Sequence, residues 1–351
     1  MHGRRRSFGR HSRAGVAWAV GLFAAGQIVA GLLLDYRYPL TRFPSAAIML
    51  DAAAPEPQPA VAFFGSSRIG AAIDVLETNK LLKATHPNEP APRTVSLAIP
   101  AGDAISAEFL LDQMLKRGQK PRWAVIEVSP ETVNAFNPWM VAHVMRQLNW
   151  EHVHSHFWPA RRGRALWLYL EARSVPVYTH RKQLVKEAKS SVHDWLPHSA
   201  PAGPAAVAAP LDWKDVMRPP ERLPDDELLT LSQNRAATIT RRWLRDYHAG
   251  GVTAEALERM LDRCRGAGIG VVLLGIPACS AHRAEFTPQI ELEYTGYIDR
   301  LTREYGCRFV DARDWMPDTL FLDDMHLRFE DGGKLFTERF VRDVLSGLPM
   351  E

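Results

Sequence analysis

The stretch PAVAFFGSSRIGAAID, residues 59–74, decides the fold of this chain. The apolar run at 61–64 predicts a buried strand, and Gly65 after it allows a tight turn because glycine has no Cβ. A helical pattern follows Ser66 and Ser67 at once. A strand, a turn and a helix in this order would bring two hydroxyl groups to the carboxyl edge of a sheet, where open α/β sheets hold their sites. A serine at such a turn can also be only a helix N-cap.

The alternation of strands and helices continues along the chain. Predicted strands cover 61–64, 94–98, 123–128, 271–276 and 308–311, and predicted helices cover 69–83, 104–117, 253–267, 288–305 and 332–346. The last helix is expected to bury Leu335, Phe336, Phe340, Val344 and Leu345. This alternation predicts a parallel sheet with helices on both faces, a three-layer α/β/α architecture of flavodoxin-like type.

The N-terminal residues predict a membrane anchor. Residues 1–13 contain five arginines, and residues 14–34 contain no charged residue. A helix over the uncharged stretch would be about 30 Å long, the thickness of the bilayer hydrocarbon. The arginines before it and Asp35 after it predict a cytoplasmic tail and an extracytoplasmic remainder, in a single-pass protein of the inner (cytoplasmic) membrane with a periplasmic catalytic domain. Because no A-x-A motif ends the span, an uncleaved anchor is favoured over a signal peptide.

The rest of the chain divides by composition. Residues 35–58 are rich in proline and are predicted to be a linker. The α/β domain is predicted in two parts, 59–134 and 253–351. Residues 135–252 lie between them as a mostly helical, Trp-rich insertion or cap, with a Pro/Ala-rich segment at 197–210. This insertion could contact a membrane surface or a partner protein, or it could form an aromatic subcore with a solvated basic rim.

Several classes of function are disfavoured. The net charge of +3 is small and the basic residues are dispersed, so nucleic acid is not an expected partner. The chain has neither the glycine motifs of nucleotide-binding proteins nor a paired-cysteine metal motif, and no cofactor is expected. Its three cysteines lie far apart, which leaves one disulfide possible but favours buried thiols. The alternating His152, His154 and His156 have no acidic or cysteine ligand beside them, so a metal site is not predicted there.

Three residues could together form an activated serine. A serine hydroxyl needs a base to take its proton, and the base needs a carboxylate to orient it. Ser67, His326 and Asp323 supply these roles, with the turn after the first strand and the loop before the last helix at the same sheet edge. Asp324 is the alternative orienting residue. A GxSxG nucleophile elbow is excluded because residue 69 is isoleucine.

These residues resemble two motifs of the SGNH (GDSL-like) hydrolases and acyltransferases. Residues 65–67 correspond to the Gly-Asp-Ser block of that family, and residues 323–326 correspond to its Asp-x-x-His block. The resemblance implies that Ser67 is the nucleophile, His326 the general base and Asp323 its orienting residue. Ser66, where the family usually has Asp, is expected to be structural.

The middle motifs match less well. The oxyanion glycine of the family corresponds to Gly102, but the Gly-Asn pair that supplies its oxyanion asparagine is missing here. Asn134 and Asn137 follow the third strand, and Asn137 is the candidate for oxyanion or substrate binding. The backbone N–H groups of Ser67 and Gly102 are the alternative. Arg68 is expected either to bind an anionic substrate or to make a structural ion pair, and Asp103 to cap the following helix.

The Gly-Ser-Ser-Arg variant and the N-terminal anchor are most similar to one branch of that family. It contains alginate and cell-wall O-acetylation proteins and the D-alanyl-transfer protein of teichoic acid synthesis, whose extracytoplasmic domains work beside a membrane-bound O-acyltransferase. The resemblance covers 59–134 and 253–346. It implies a serine acyltransferase for a cell-envelope or secreted polysaccharide. The alternatives are an esterase or deacetylase that uses water, and a non-catalytic module that binds polysaccharide or the acyltransferase.

Overall fold

The computed structural model describes residues 5–54, 57–85, 92–137, 164–181, 184–185 and 224–350. The chain forms two compact units, one from Met1–Pro44 with Met145–Gly203 and one from Ser45–Val144 with Pro204–Glu351. The Pro/Ala-rich segment and the three alternating histidines lie outside the described residues.

The helices and strands follow one another in the order of the chain. The helices are α1 (Arg5–Leu32), α2 (Pro44–Ala53), α3 (Ser67–Ala72), α4 (Val75–Thr85), α5 (Ala104–Lys116), α6 (Arg164–Ser174), α7 (Pro176–Thr179), α8 (Asp225–Arg235), α9 (Arg241–Trp243), α10 (Gly251–Ala267), α11 (Ser280–Arg283), α12 (Pro288–Tyr305) and α13 (Lys334–Asp343). The strands are β1 (Val61–Gly65), β2 (Thr94–Ala98), β3 (Trp123–Val128), β4 (Gly270–Gly275) and β5 (Arg308–Asp311).

In the first unit, α1 contains the predicted membrane anchor. The stretch Arg13–Arg37, with a mean hydropathy of 1.9, is the one helix in the described residues that is long and apolar enough to cross a membrane. Its large apolar side chains are exposed, as Trp18 and Leu22 show at 72% and 68%. Asp35, which follows the uncharged stretch, is paired with Arg42 Nε at 2.8 Å. The charge that ends the span is therefore neutralised within this unit.

The second unit is built on a five-stranded sheet with the order β2-β1-β3-β4-β5, in which every neighbouring pair is parallel. Gly65 pairs with Ala98, so β1 and β2 end together at the carboxyl edge. This is the flavodoxin-like doubly wound order, and its topological switch point lies between β1 and β3. The predicted α/β class with a parallel sheet is confirmed.

Helices cover both faces of the sheet. Phe63 of β1 packs against α13, where its ring centroid lies 6.4 Å from that of Phe340. The next strand residue, Phe64, points to the opposite face and lies with Ala107 of α5 and Leu257 of α10 around a small cavity. Since alternate residues of a strand face opposite sides, burial on both sides explains why the strands are continuously apolar.

Two predicted helices differ in detail. The helix predicted at 69–83 is broken into α3 and α4, because Asp74 Oδ1 accepts hydrogen bonds from the N–H groups of Leu76 and Glu77 and so starts a new helix. In α13, Leu335 is 47% exposed and not in the core as expected. Val341, which was not among the expected core residues, is buried on that helix together with Phe336 and Phe340.

The predicted linker at 35–58 contains a helix. Prolines were expected to prevent a long helix there, but Pro44 is the first residue of α2, a position where proline costs nothing. Met49 and Leu50 of α2 are buried. The prolines limit the length of this helix rather than excluding it.

Candidate active site

A glycine and a serine shape the loop between β1 and α3. The Ser66 N–H donates to Glu127 Oε2 at 2.7 Å, and the Ser66 hydroxyl donates to Glu127 Oε1 at 2.9 Å. The same hydroxyl caps α3 by accepting from the Arg68 N–H at 3.1 Å. A Cβ on Gly65 would lie 2.6 Å from the Cβ of Glu127, so only glycine lets the glutamate reach the loop. Ser66 is thus a structural residue that fixes Ser67 beside it.

The structure brings Ser67, His326 and Asp323 together. Ser67 Oγ lies 2.9 Å from His326 Nε2, and His326 Nδ1 lies 2.9 and 3.0 Å from the two carboxylate oxygens of Asp323. An ionised carboxylate can only accept hydrogen bonds, so Nδ1 carries the proton and the lone pair of Nε2 faces the serine. This is the hydroxyl–imidazole–carboxylate arrangement that activates a serine.

The loop of Asp323 keeps that carboxylate ionised and oriented. Asp323 Oδ1 accepts from the backbone N–H groups of Met325 and His326 at 2.9 and 2.8 Å. Burial by itself would raise the pKa of Asp323, but the hydrogen bond and charge of His326, the Met325 N–H and the charge of Arg235 together hold that pKa well below its usual range. Asp324, the alternative partner, does not contact the His326 ring among the described contacts.

Ser67 and His326 open into a cavity of about 430 Å³. Its size suits a small ligand or one end of a larger one. Part of the wall is apolar and comes from Ile239, Trp243 and Met325. The side chains of Arg235 and Arg242 also line it. The cavity lies at the carboxyl ends of β1 and β3, the switch point of the sheet.

Gly102 lines this cavity, but its N–H group is engaged elsewhere. The Gly102 N–H donates to the Ile99 carbonyl at 2.8 Å, in a turn where Ala101 has a φ of 56°. A Cβ on Gly102 would lie 2.8 Å from the Gly65 carbonyl oxygen, so glycine is needed for close packing. The expectation that its N–H serves the oxyanion is not supported. The Ser67 N–H, in the first turn of α3, is of the kind that has no acceptor within its helix.

Asn137 and Arg68 have structural partners. The Asn137 amide donates to the Glu131 carbonyl at 2.8 Å, and Asn137 is buried and does not line the cavity in the described residues. The expectation that it contacts the oxyanion or the substrate is therefore not supported. Arg68 borders the cavity, but its side chain is only 5% exposed and forms an ion pair with Glu131. Of the two alternatives for Arg68, the geometry matches the structural ion pair.

Sequence reasoning missed a buried polar network behind the triad. His282 has no exposed surface and lies between two carboxylates. Its Nδ1 is 3.2 Å from Asp324 Oδ2, and its Nε2 is 3.4 Å from Glu131 Oε1. Thr240 donates to Asp324 Oδ2 at 3.2 Å. Arg235 donates from Nε to Asp324 Oδ1 at 2.8 Å, and its Nη2 lies 3.5 Å from Asp323 Oδ2. The one signal in the sequence was the pair of adjacent aspartates.

The charges in this network stabilise one another. Burial by itself would lower the pKa of His282, but the charge of Glu131 and the hydrogen bond with Asp324 outweigh it and raise that pKa. Burial would raise the pKa of Asp324, but its hydrogen bonds with His282 and Arg235 lower it. The same holds for Glu131, whose pKa is lowered by the charges of Arg68 and His282 against the effect of burial. Acidic and basic groups thus alternate from Arg68 to Asp323.

A metal centre has no support in the described part of the chain. No group of three or more His, Cys, Asp or Glu side chains there could hold a metal ion. Cys264, Cys279 and Cys307 are buried free thiols, and burial raises the pKa of each, that of Cys264 to about 12. None of the three is therefore an activated nucleophile.

Comparison with known proteins finds similar chains among solved structures alone. No protein-family model and no curated protein matches the chain. Among solved structures, the chain is similar to the lipase/acylhydrolase from Enterococcus faecalis, with 13% identity and a TM-score of 0.38, over 84% of this chain and 98% of that chain. The chemistry of the site therefore rests on the contacts of Ser67, His326 and Asp323 themselves.

Proposed function

We propose that this chain is a membrane-anchored serine acyltransferase of SGNH type that acts in O-acetylation of a cell-envelope or secreted polysaccharide. The observation that carries the proposal is the pair of contacts from Ser67 Oγ to His326 Nε2 at 2.9 Å and from His326 Nδ1 to Asp323 at 2.9 Å. Both distances are within hydrogen-bond reach, as nucleophile, base and orienting group require.

In the first half of the proposed reaction, Ser67 Oγ attacks the carbonyl carbon of an acyl donor. His326 Nε2 takes the hydroxyl proton as the C–O bond forms, and Asp323 stabilises the imidazolium. The tetrahedral intermediate then collapses, the bond to the leaving alcohol breaks, and His326 returns the proton to that alcohol. The Ser67 N–H is the donor expected to face the oxyanion.

In the second half, an acceptor hydroxyl attacks the acyl-Ser67 ester. His326 removes the proton of the acceptor and gives it back to Ser67 Oγ when the acyl–enzyme bond breaks. A sugar hydroxyl as acceptor gives transfer, and water gives hydrolysis. The esterase or deacetylase alternative therefore uses the same residues and differs only in what occupies the cavity during this step.

The membrane part of the proposal rests on α1. The stretch Arg13–Arg37 is long and apolar enough to cross a bilayer, and four of the five arginines of residues 1–13 precede it. Because basic residues are retained on the cytoplasmic side, we propose that the α/β unit lies outside the cytoplasmic membrane. A membrane-bound O-acyltransferase as supplier of the acyl group, and a polysaccharide as acceptor, belong to the same proposal.

The non-catalytic alternative is disfavoured by the same contacts. A module that only binds polysaccharide has no need of an oriented imidazole, whereas here two backbone N–H groups hold Asp323 and Asp323 holds the ring of His326.

Labelling of the serine tests the proposal. The full-length protein in detergent is treated with a fluorophosphonate, and the adduct is located by peptide mass mapping, which separates Ser67 from Ser66. We expect an adduct on Ser67 that is lost in Ser67→Ala and reduced at least about 100-fold in rate in His326→Gln, since general-base catalysis contributes 10²–10⁴-fold. Ser280→Ala, which removes a serine hydroxyl that donates to Asp318 at the surface, is the control that should label normally.

A second measurement separates the two acceptors. Release of p-nitrophenol from p-nitrophenyl acetate reports the first half reaction, and the ratio of acetate to O-acetyl sugar reports the second. A folded wild-type protein that neither labels nor releases p-nitrophenol would refute serine catalysis. Labelling with acetate as the sole product in the presence of sugar acceptors would support the hydrolase.

A further inference from the structure

Arg235 lies between two adjacent carboxylates. Its Nε donates to Asp324 Oδ1 at 2.8 Å, and its Nη2 lies 3.5 Å from Asp323 Oδ2. Apart from His326, it is the only cation in the described residues within ion-pair distance of Asp323. Its side chain is 34% exposed and also lines the cavity. The arginine is thus in contact with the triad and close to the substrate space.

The position of Arg235 is set by an irregular helix. It is the last residue of α8, and the next five residues, Ala236–Thr240, form a π-helical turn before α9. Such turns often occur at functional sites because they re-aim side chains. Thr240, at the end of the turn, donates to Asp324. The turn is therefore held to Asp324 at both ends, by Arg235 just before it and by Thr240 at its last residue.

The other charged groups near Asp323 are already paired with one another. His282 lies against Asp324 and Glu131, and Glu131 also pairs with Arg68. Asp324 therefore has a second cation in His282 and a hydroxyl donor in Thr240. Asp323 accepts from two backbone N–H groups, but in the described residues its one cation besides the ring that it orients is Arg235. Removing the charge of Arg235 would leave Asp324 with His282 as a cation, but would leave Asp323 with the ring of His326 alone among the described cations.

We propose that Arg235 is a positioning residue, which holds Asp323 in place and partly neutralises the negative charge that Asp323 presents to His326. This inference rests on the proposed function of the site. A carboxylate without its counter-charge attracts the proton of an imidazolium more strongly, and a protonated His326 cannot accept the hydrogen of Ser67. Arg235 thereby widens the pH range in which the serine can be activated, although it takes no part in bond making.

Three variants of the full-length protein in detergent test the inference. Arg235→Gln removes the charge but keeps an N–H donor for Asp324, and Arg235→Lys keeps the charge but loses the two-pronged geometry. Arg241→Gln is the matched control, because it removes the same charge from a nearby helix but outside the cavity. The pH midpoint of His326 is followed by NMR of ¹⁵N-histidine, with His326→Gln to identify the signal. The rate of fluorophosphonate labelling is followed over the same pH range.

We expect Arg235→Gln to raise the His326 midpoint by about one pH unit, and to slow labelling about tenfold at pH values below it. Arg235→Lys should keep the wild-type midpoint but label several-fold more slowly throughout, because one ammonium cannot hold both carboxylates. Arg241→Gln should match the wild type in both measurements.

A folded Arg235→Gln protein with the wild-type midpoint would overturn the inference. If Arg235→Gln does not fold, Arg235→Lys decides, since a labelling rate equal to that of the wild type would show that Arg235 does not orient the triad. If the wild type itself is not labelled, the proposed function fails, but the NMR midpoints still test whether Arg235 controls the proton on His326.

Discussion

Asp103, which begins α5 next to Gly102, gives the sharpest test of the electrostatics near the site. Its carboxylate accepts from the Ser106 N–H and from the Ser106 hydroxyl, both at 2.9 Å, yet it is only 5% exposed. Burial outweighs these hydrogen bonds and raises the pKa of Asp103 from 3.8 to about 6. Asp103→Asn keeps a good N-cap but removes the ionisation.

The sign of the effect follows from proton binding. Between about pH 4 and pH 6 the folded protein holds a proton on Asp103 that the unfolded chain has lost, so this group contributes stability at low pH that is lost as the pH rises through the folded pKa. At 1.36 kcal/mol for each pH unit, the rise from 3.8 to about 6 corresponds to about 3 kcal/mol. Relative to Asp103→Asn, the wild type should therefore lose about 3 kcal/mol of unfolding free energy across this window.

Urea unfolding of the full-length protein in detergent, followed by tryptophan fluorescence, measures this difference at each pH. The comparison of wild type with variant cancels the titration of every other group. Asp74→Asn makes the same chemical change at the half-buried start of α4 and serves as the reference for the substitution itself. A wild-type-minus-Asp103→Asn difference that stays constant across the window would refute the assignment of a buried, destabilised carboxylate at α5.

Two further outcomes follow from the packing of the site. Gly65→Ala should lower the unfolding free energy by about 1–3 kcal/mol and slow Ser67 labelling, because the new Cβ would lie 2.6 Å from Glu127 Cβ. The control Gly296→Ala, which has open space on the exposed face of α12, should raise the unfolding free energy by about 0.5–1 kcal/mol. Equal effects of the two substitutions in urea unfolding would contradict this reasoning. Trp243→Ala enlarges the cavity beside Ser67 and should shift the preference among p-nitrophenyl esters from acetate toward longer acyl chains. If the ratio of kcat/KM for longer esters to kcat/KM for the acetate is unchanged, the acyl group lies away from this wall.

Most of the fold was predictable from the local pattern of apolar and turn residues. The bounds of β2, β3 and β5 agree with those expected, because continuous apolar runs between turn residues are typical of strands buried on both faces. The break between α3 and α4 was missed, because the apolar pattern does not show the hydrogen bonds by which Asp74 starts a new helix. Leu335 was misplaced because hydrophobicity alone does not show which side of a helix meets the sheet.

Candidate site residues were predictable to the extent that they lie in short motifs. Ser67, Asp323 and His326 could be named because spacing and residue type already indicate their chemistry. Arg235 and His282 could not be named from the sequence, because each contacts its partners only when the chain folds. Arg235 is 89 positions from Asp324 in sequence, and His282 is 42 positions from it. Gly102 lines the cavity, but the direction of its N–H depends on a turn whose backbone angles composition does not reveal.

The bond between Ser66 and Glu127 ties the identities of two positions together. The carboxylate that faces the N–H of residue 66 comes from β3, 61 positions further along the chain, and it receives both hydrogen-bond donors of Ser66. An aspartate at position 66 would set a second negative charge against Glu127, and its ionised side chain would have no hydrogen to donate. Among natural relatives, an acidic residue at position 66 should therefore occur with a neutral or basic residue at position 127. A sequence search for this type of site should evaluate positions 66 and 127 together.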